Sequence, residues 1–414
     1  MINHTILMLL NQRFLPDPRV EQQYYALTEA GYRVIVVANG NGADKDGYEI
    51  VRINPNAGFS KMYNLTLRTN PKLQTEIIEA LKAIGVVQVH AVHVHDLLWS
   101  FLGIQLKKIF NAKLVIDLHE NYPAFIKDIG QGPKKRSFKQ YAKIGLKTLI
   151  NPKNGPAWGV LKEYAHGPKH LKKYELSVLK KCDRFIVVVD EALDRFKKES
   201  FYKKGVVVSN TKDPDVWNFE KIKEVTNKLV VTYMGTIQDL RGLDTAILAM
   251  CHVDQTKFEL NIVGVRTGNA MHQKFLSLIK EYDITNVNLI EWLTDEQKAF
   301  KYINDSHVCI VPHKNTELTQ TTIPHKLFMY MATGRPVLVS DVAPLKRIVE
   351  TSNNGLVFKA EDSKELAQKM EAMYNTEKLT EYSLNGRRAV EQKFNWEHDK
   401  YRLVNMYNEL LGLV

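Results

Sequence analysis

The stretch IPHKLFMYMATGRPVLVSD, residues 323–341, decides how the chain is read. Lys326 to Ala332 are helix formers, Gly334 stops the run and Pro336 forbids its continuation. Val337-Leu338-Val339-Ser340 then read as a short strand buried on both faces. A helix that feeds straight into a buried strand is half of a βαβ unit. Polar residues gather just before and at the start of the helix, from Thr319 to Thr322 and at Lys326, and again at the strand end, Ser340-Asp341. Free N–H groups at a helix start attract negative charge, and a lysine in the first turn adds to them. This predicts a bound anion there. The alternative is that the threonines only cap the helix and Lys326 faces solvent.

The same alternation runs outward in both directions. HTILMLL (4–10), YRVIVVAN (32–39), AVHVHD (91–96) and AKLVIDLHE (112–120) read as strands. Between them lie helices such as DPRVEQQYYALTEAG (17–31), with Asp17 as N-cap, Pro18 at the first helical position and Gly31 as stop. A second helix is expected over Leu97–Phe110. The pattern restarts at KLVVTYMG (228–235) and continues through FELNIVG (258–264), VNLIEW (287–292) and HVCIVPH (307–313). The expected fold class is therefore α/β, with two doubly wound Rossmann-like domains facing a cleft. The divisions are an N-terminal domain over 1–212, a polar linker over 213–228, a C-terminal domain over 229–390, and a segment over 391–414 whose helix packs back on the first domain. The apolar set of that last segment is Phe394, Trp396, Tyr401, Val404, Met406, Tyr407, Leu410 and Leu411.

With 414 residues and 44% hydrophobic content, the chain suits a globular protein of two to three domains. No apolar run reaches the ~18 residues of a spanning helix, and the first strand lacks the basic flank of a signal peptide. Three scattered cysteines match no metal spacing and suit a reducing compartment. The net charge of +11 is local: residues 127–181 hold 14 basic and 3 acidic side chains, which is the whole surplus. Lys134, Lys135, Arg136, Lys139, Lys143 and Lys147 form its densest part, and the last three recur at four-residue spacing. Such a block fits an anionic membrane surface, an acidic glycan or a lipid diphosphate. No nucleic-acid motif accompanies it, and a merely solubilising insertion is the plain alternative.

In doubly wound sheets ligands sit beyond the carboxyl ends of strands. Those positions are Asn11 to Arg13, His95-Asp96, His119-Glu120, Asn210, Gly235-Thr236, Gly264, His313 and Ser340-Asp341. Taken in order, the pieces FLPDPRVEQQYYALTEAGYRVIVVA, VIDLHENYP, VTYMGTIQDLRGLDTAILAM and PHKLFMYMATGRPVLVSD resemble those of retaining family-4 glycosyltransferases of GT-B fold, over nearly the whole chain. The resemblance implies a nucleoside diphosphate sugar of UDP or GDP type as donor, a glycan or lipid-linked acceptor in cell-surface polysaccharide assembly, and no metal or other cofactor. It implies a cytoplasmic protein, peripheral at the inner face of the membrane.

The resemblance also implies roles. His119 contacts the transferred sugar, and Arg241 and Lys326 hold the diphosphate. Gly235, Thr236, Gly264, Glu317, Gln320, Thr321 and Thr322 complete the donor site, with Arg13, Asp17 and Glu120 on the acceptor side. Two positions depart from the family pattern. Thr236 stands where a second basic residue is common, and Met329 where a glutamate holds the ribose; a thioether is no substitute for a carboxylate there. The departures keep two rivals in view: a nucleotide-sugar epimerase of the same fold, and a homologue that binds a glycan or partner without turnover.

Overall fold

In the computed structural model, residues 4–11, 14, 17–39, 47–53, 71–128, 167–374 and 376–413 are described. The chain divides into two units, Met1–Val208 with Lys400–Val414, and Ser209–Asp399.

The first unit is built on a seven-stranded parallel sheet: β1 (Thr5–Leu10), β2 (Arg33–Asn39), β3 (Ile50–Ile53), β4 (Ala91–His95), β5 (Lys113–Leu118), β6 (Arg184–Val187) and β7 (Gly205–Val207). The order is β3-β2-β1-β4-β5-β6-β7. Ile6 to Leu9 have no exposed surface, as a strand covered on both faces requires. Asp17 caps the helix Pro18–Glu29 by accepting from the Val20 N–H, and Gly31 leaves it at φ +94°. The helix expected from Leu97 begins at Ser100 instead. Asp96, at φ +64°, turns the chain at the strand end, and three more residues pass before helical bonding starts.

The second unit carries a six-stranded parallel sheet: β8 (Leu229–Met234), β9 (Phe258–Val265), β10 (Val287–Glu291), β11 (Val308–Val311), β12 (Val337–Ser340) and β13 (Gly355–Phe358). Its order is β10-β9-β8-β11-β12-β13. The quoted stretch forms the helix His325–Ala332 and then β12.

The stretch 213–228 is no free linker. Ile222 and Val225 pack on the core of the second unit, and Arg387 Nη1 donates to the carbonyls of Pro214 and Trp217. The division near the C-terminus also falls later than 391. It lies at Lys400, inside the helix Trp396–Leu411. Phe394 sits beside Phe328 in the second unit, with ring centroids 6.1 Å apart. Residues from Lys400 onward pack on the first unit: Lys400 pairs with Glu29 at 2.7 Å and Tyr32 donates to Asn408 at 2.6 Å. Tyr401 is exposed rather than apolar packing, and Leu403 takes its place in the core.

In both sheets the winding direction reverses once, between β1 and β4 and between β8 and β11. The crevice beyond the carboxyl ends of such a strand pair is where this architecture binds ligands. Among the described residues no helix is long and apolar enough to cross a membrane.

Candidate functional sites

The reversal in the second unit places Met234-Gly235 beside Pro312-His313. Tyr330, on the quoted helix, accepts from the Met234 N–H at 2.9 Å and pins the end of β8. Gly235, at φ +133°, has no side chain because Lys326 Nζ would lie 2.7 Å from its Cβ. Gly264, at φ +115°, meets the Gly235 carbonyl oxygen, which would stand 2.3 Å from an added Cβ. The floor of the crevice is thus bare backbone.

Lys326 reaches across this floor with its Nζ 3.7 Å from the centroid of the Tyr233 ring. The residue as a whole is half-buried, yet the Nζ itself has no exposed surface and, among the described residues, no hydrogen-bond partner. Arg241 lies in the single turn Asp239–Arg241 that follows β8. Its Nη1 contacts His313 Nε2 at 3.1 Å, while its Nε is buried without a partner. Burial first, and Arg241 second, push the Lys326 amine well below the ordinary lysine range. Burial, Arg241 and Lys326 do the same to His313. Among the described residues three basic groups thus converge with no carboxylate between them, an arrangement that favours an anion. Beside Gly235 and Gly264 opens a cavity of about 410 Å³ walled by Trp217, Trp292 and Phe300. That volume and flat aromatic lining suit a small planar ring.

Several of the other donor-side candidates are engaged within their own loop. The Thr319 hydroxyl donates to the Lys314 carbonyl at 2.6 Å, and the Thr321 hydroxyl to the Glu317 carbonyl at 2.9 Å. Both are buried and cap their own turn rather than the helix, whose N-cap is Pro324 with no side-chain bond. Gln320 donates to Asn315 and accepts from the Ala343 N–H, so its amide braces the loop. Thr322 and Met329 are half-buried, and Thr236 and Glu317 are exposed.

In the first unit the carboxyl ends of β4 and β5 bring His93, His95, Asp117 and His119 together. Alternate residues of a strand share a face, and the two strands are in register, His93 beside Val115 and His95 beside Asp117. Asp117 is fully buried. It accepts from Arg19 Nε at 3.1 Å, Arg19 Nη2 at 2.8 Å and Gln23 Nε2 at 2.7 Å. His119 Nε2 stands 3.3 Å from Asp117 and 3.2 Å from His95 Nδ1, and its Nδ1 is 3.6 Å from Asp96. Tyr407 Oη contacts His93 Nδ1 at 2.8 Å.

Burial opposes a charge on His119, but Asp96 and Asp117 outweigh it and hold the imidazole up to about 9. Burial alone would raise Asp117; Arg19 and His119 instead hold it well below the usual carboxylate range. The ligand atoms of His93, His95 and Asp117 lie within 4.8 Å of one another, close enough to surround a cation. The guanidinium already paired with Asp117 opposes one, so the cluster reads as a hydrogen-bonded network in which carboxylates favour the charge on His119 while burial disfavours it on His93 and His95.

Glu120 is half-buried at the end of this cluster, and Asp17 is the helix cap already described. Arg13 and the six basic positions from Lys134 to Lys147 lie outside the described residues. Sequence reasoning picked His119, His95 and Asp96 as strand-end residues but missed His93, Asp117 and Arg19. The signal was present as His-x-His-Asp at 93–96 and Asp-x-His at 117–119.

Two parallel sheets wound in this way, each with its reversal crevice, constitute the GT-B fold. Sucrose-phosphate synthase from Thermosynechococcus elongatus superposes with a TM-score of 0.70, at 18% identity and with 100% of both chains covered. Anabaena HepE in complex with UDP also reaches 0.70, at 13% identity, over 97% of this chain and 99% of HepE. Residues 228–376, most of the second unit, match the family model for glycosyl transferases group 1. The capsular polysaccharide biosynthesis glycosyltransferase CapM of Staphylococcus aureus is 24% identical over 194 residues, 46% of this chain and 48% of CapM. The chain spans about half the length of the curated relatives it matches.

Proposed function

We propose that this protein is a glycosyltransferase that takes a sugar from a nucleoside diphosphate and gives it to a glycan or lipid-linked acceptor in polysaccharide assembly. One observation carries the reading. Arg241 and Lys326 are half-buried basic side chains whose Nε and Nζ are buried with no acid beside them among the described residues, set over a bare-backbone floor beside an aromatic-walled cavity. A nucleoside diphosphate supplies both complements, two phosphates for the cations and a flat base for the cavity. HepE, of the same fold, is described in complex with UDP, and CapM is named for capsular polysaccharide biosynthesis.

In this reading the bond from the anomeric carbon to the diphosphate oxygen breaks, and Arg241 and Lys326 stabilise the charge that develops on that oxygen. The acceptor oxygen bonds to the same carbon, and its proton passes to the departing phosphate. Attack from the face the phosphate leaves gives retention, the outcome the family-4 resemblance implies. No metal is assigned a part, because the two cations fill the role a divalent ion would otherwise play. His119 and Glu120 are assigned to the acceptor side. The basic block over 127–181 supports a place at an anionic cytoplasmic membrane face, which cosedimentation with phosphatidylglycerol vesicles tests.

Met329 favours a second reading, a homologue that binds without turnover, since no carboxylate stands at the ribose position. Calorimetric titration of UDP, GDP and ADP against the wild type and Arg241→Ala tests the donor site. One nucleoside diphosphate should bind, and the substitution should weaken it by ~1.5–3 kcal/mol, the range for a hydrogen bond to a charged group. Binding of none at millimolar concentration rejects the proposal. Incubation with the matching nucleotide sugar then separates the rivals: a transferase hydrolyses or transfers it, an epimerase converts it, and a pure binder leaves it unchanged.

A further inference from the structure

A guanidinium whose Nε is withdrawn from water is ordinarily set against a carboxylate. Arg241 is not. Among the described residues its one side-chain partner is His313, with Nη1 and Nε2 3.1 Å apart. The nearest acids in sequence are engaged elsewhere. Asp239 pairs with Lys274 at 3.0 Å and Lys314 at 2.9 Å, and Asp244 pairs with Lys274 at 2.8 Å. The Lys314 N–H also donates to the Leu240 carbonyl at 3.0 Å. These contacts fix the turn that carries Arg241 and leave its charge alone.

His313 is only 2% exposed. Burial and the neighbouring cations Arg241 and Lys326 keep it neutral, so the proton sits on Nδ1 and the Nε2 lone pair accepts from Arg241. A neutral acceptor orients a guanidinium without cancelling its charge. A carboxylate at position 313 would hold Arg241 as firmly, but it would neutralise the site and repel an arriving phosphate.

We propose that His313 is a positioning residue whose Nε2 aims the Arg241 guanidinium at the anion site beside Gly235 while leaving its positive charge free for a phosphate group. The inference rests on the donor-site reading above only for what carries the phosphate.

The test is titration of inorganic pyrophosphate, UDP and uridine against the wild type, His313→Leu, His313→Gln and His313→Asp, with and without Arg241→Ala. His313→Leu should lose roughly tenfold or more in affinity for pyrophosphate and UDP, with uridine unchanged. His313→Gln, which keeps an acceptor, should restore most of the loss. His313→Asp should lose at least as much as His313→Leu. In the Arg241→Ala background His313→Leu should cost nothing further. A purely structural histidine would move uridine and pyrophosphate alike, and its effect would survive Arg241→Ala; either result overturns the inference. Should His313→Leu fail to fold, the contrast between His313→Gln and His313→Asp carries the same test, and equal affinities there reject it. If pyrophosphate binds the wild type but no nucleoside diphosphate does, the nucleotide reading falls while the role of His313 is still decided on pyrophosphate. If pyrophosphate does not bind the wild type, both fall.

Discussion

Replacing Lys326 with methionine should make the unliganded protein more stable and the liganded site weaker. Methionine keeps the length of the stem and its contact with the Tyr233 ring, but removes an amine whose Nζ is buried without a partner. An unsatisfied buried polar group costs ~1–3 kcal/mol, so stability should rise by about that amount. For a unit of this size each kcal/mol is worth roughly 2–4 °C in melting temperature. The folded-state pKa of Lys326 lies well below its ordinary value of 10.5. The unfolded chain therefore binds a proton that the folded chain binds poorly, and the penalty deepens as pH falls below 10.5. The stability gain of Lys326→Met should accordingly shrink as pH rises from neutrality towards that value. UDP affinity should fall by ~1.5–3 kcal/mol, the range for a charged hydrogen bond. Urea titrations of both proteins across that pH range, with calorimetric UDP binding, measure all three effects. A variant that is less stable at neutral pH and binds UDP as tightly as the wild type would show that the amine is neither strained nor waiting for an anion.

Three further outcomes are expected. His119, held up to about 9 by Asp96 and Asp117, contributes stability that is complete below 6.5 and fades as pH rises through 9; the urea midpoint should drop across that window, and His119→Asn should flatten this part of the slope. Gly264→Ala forces a Cβ to 2.3 Å from the Gly235 carbonyl oxygen at a φ of +115°; it should cost ~1–3 kcal/mol by thermal melting and abolish UDP binding through displacement of the crevice floor. Tyr407→Phe removes the 2.8 Å contact to His93 Nδ1 and should destabilise the protein by ~1–3 kcal/mol in urea, the cost of a buried nitrogen left unpaired.

The periodic parts of both units were legible in the sequence. Runs such as Ile6–Leu9 and Val337–Ser340 can be little else than strands buried on both faces, and Asp17, Pro18 and Gly31 mark a helix by local chemistry alone. Lys326 was legible from its place in the first turn of the quoted helix, Arg241 only through the resemblance, and the rule that ligands lie beyond strand ends picked out Gly235, Gly264 and His313. What was not legible depends on which strands become neighbours. Arg19 and Asp117 are 98 residues apart in sequence and meet only because β1, β4 and β5 are adjacent in the sheet. The threonines misled for the opposite reason. Ser/Thr hydroxyls before a helix usually cap it, but here a short turn at Thr319–Thr321 offers nearer carbonyls. The stretch 213–228 looked like a linker because Ile222 and Val225 follow no helix or strand period, although they pack on a core.

The helix Trp396–Leu411 gives the first unit a property that shows during synthesis. Tyr407 follows His93 by 314 residues, and at ~5–20 residues per second a ribosome needs roughly 15–60 s to cover that distance. For that interval the nascent first unit lacks the side chain that closes its histidine cluster and the segment that covers Tyr32. The second unit is made in the meantime, so the first cannot be completed in the order in which it is encoded. A chain released early, short of Tyr407, leaves the ribosome with the buried face of its first unit open to chaperones and proteases.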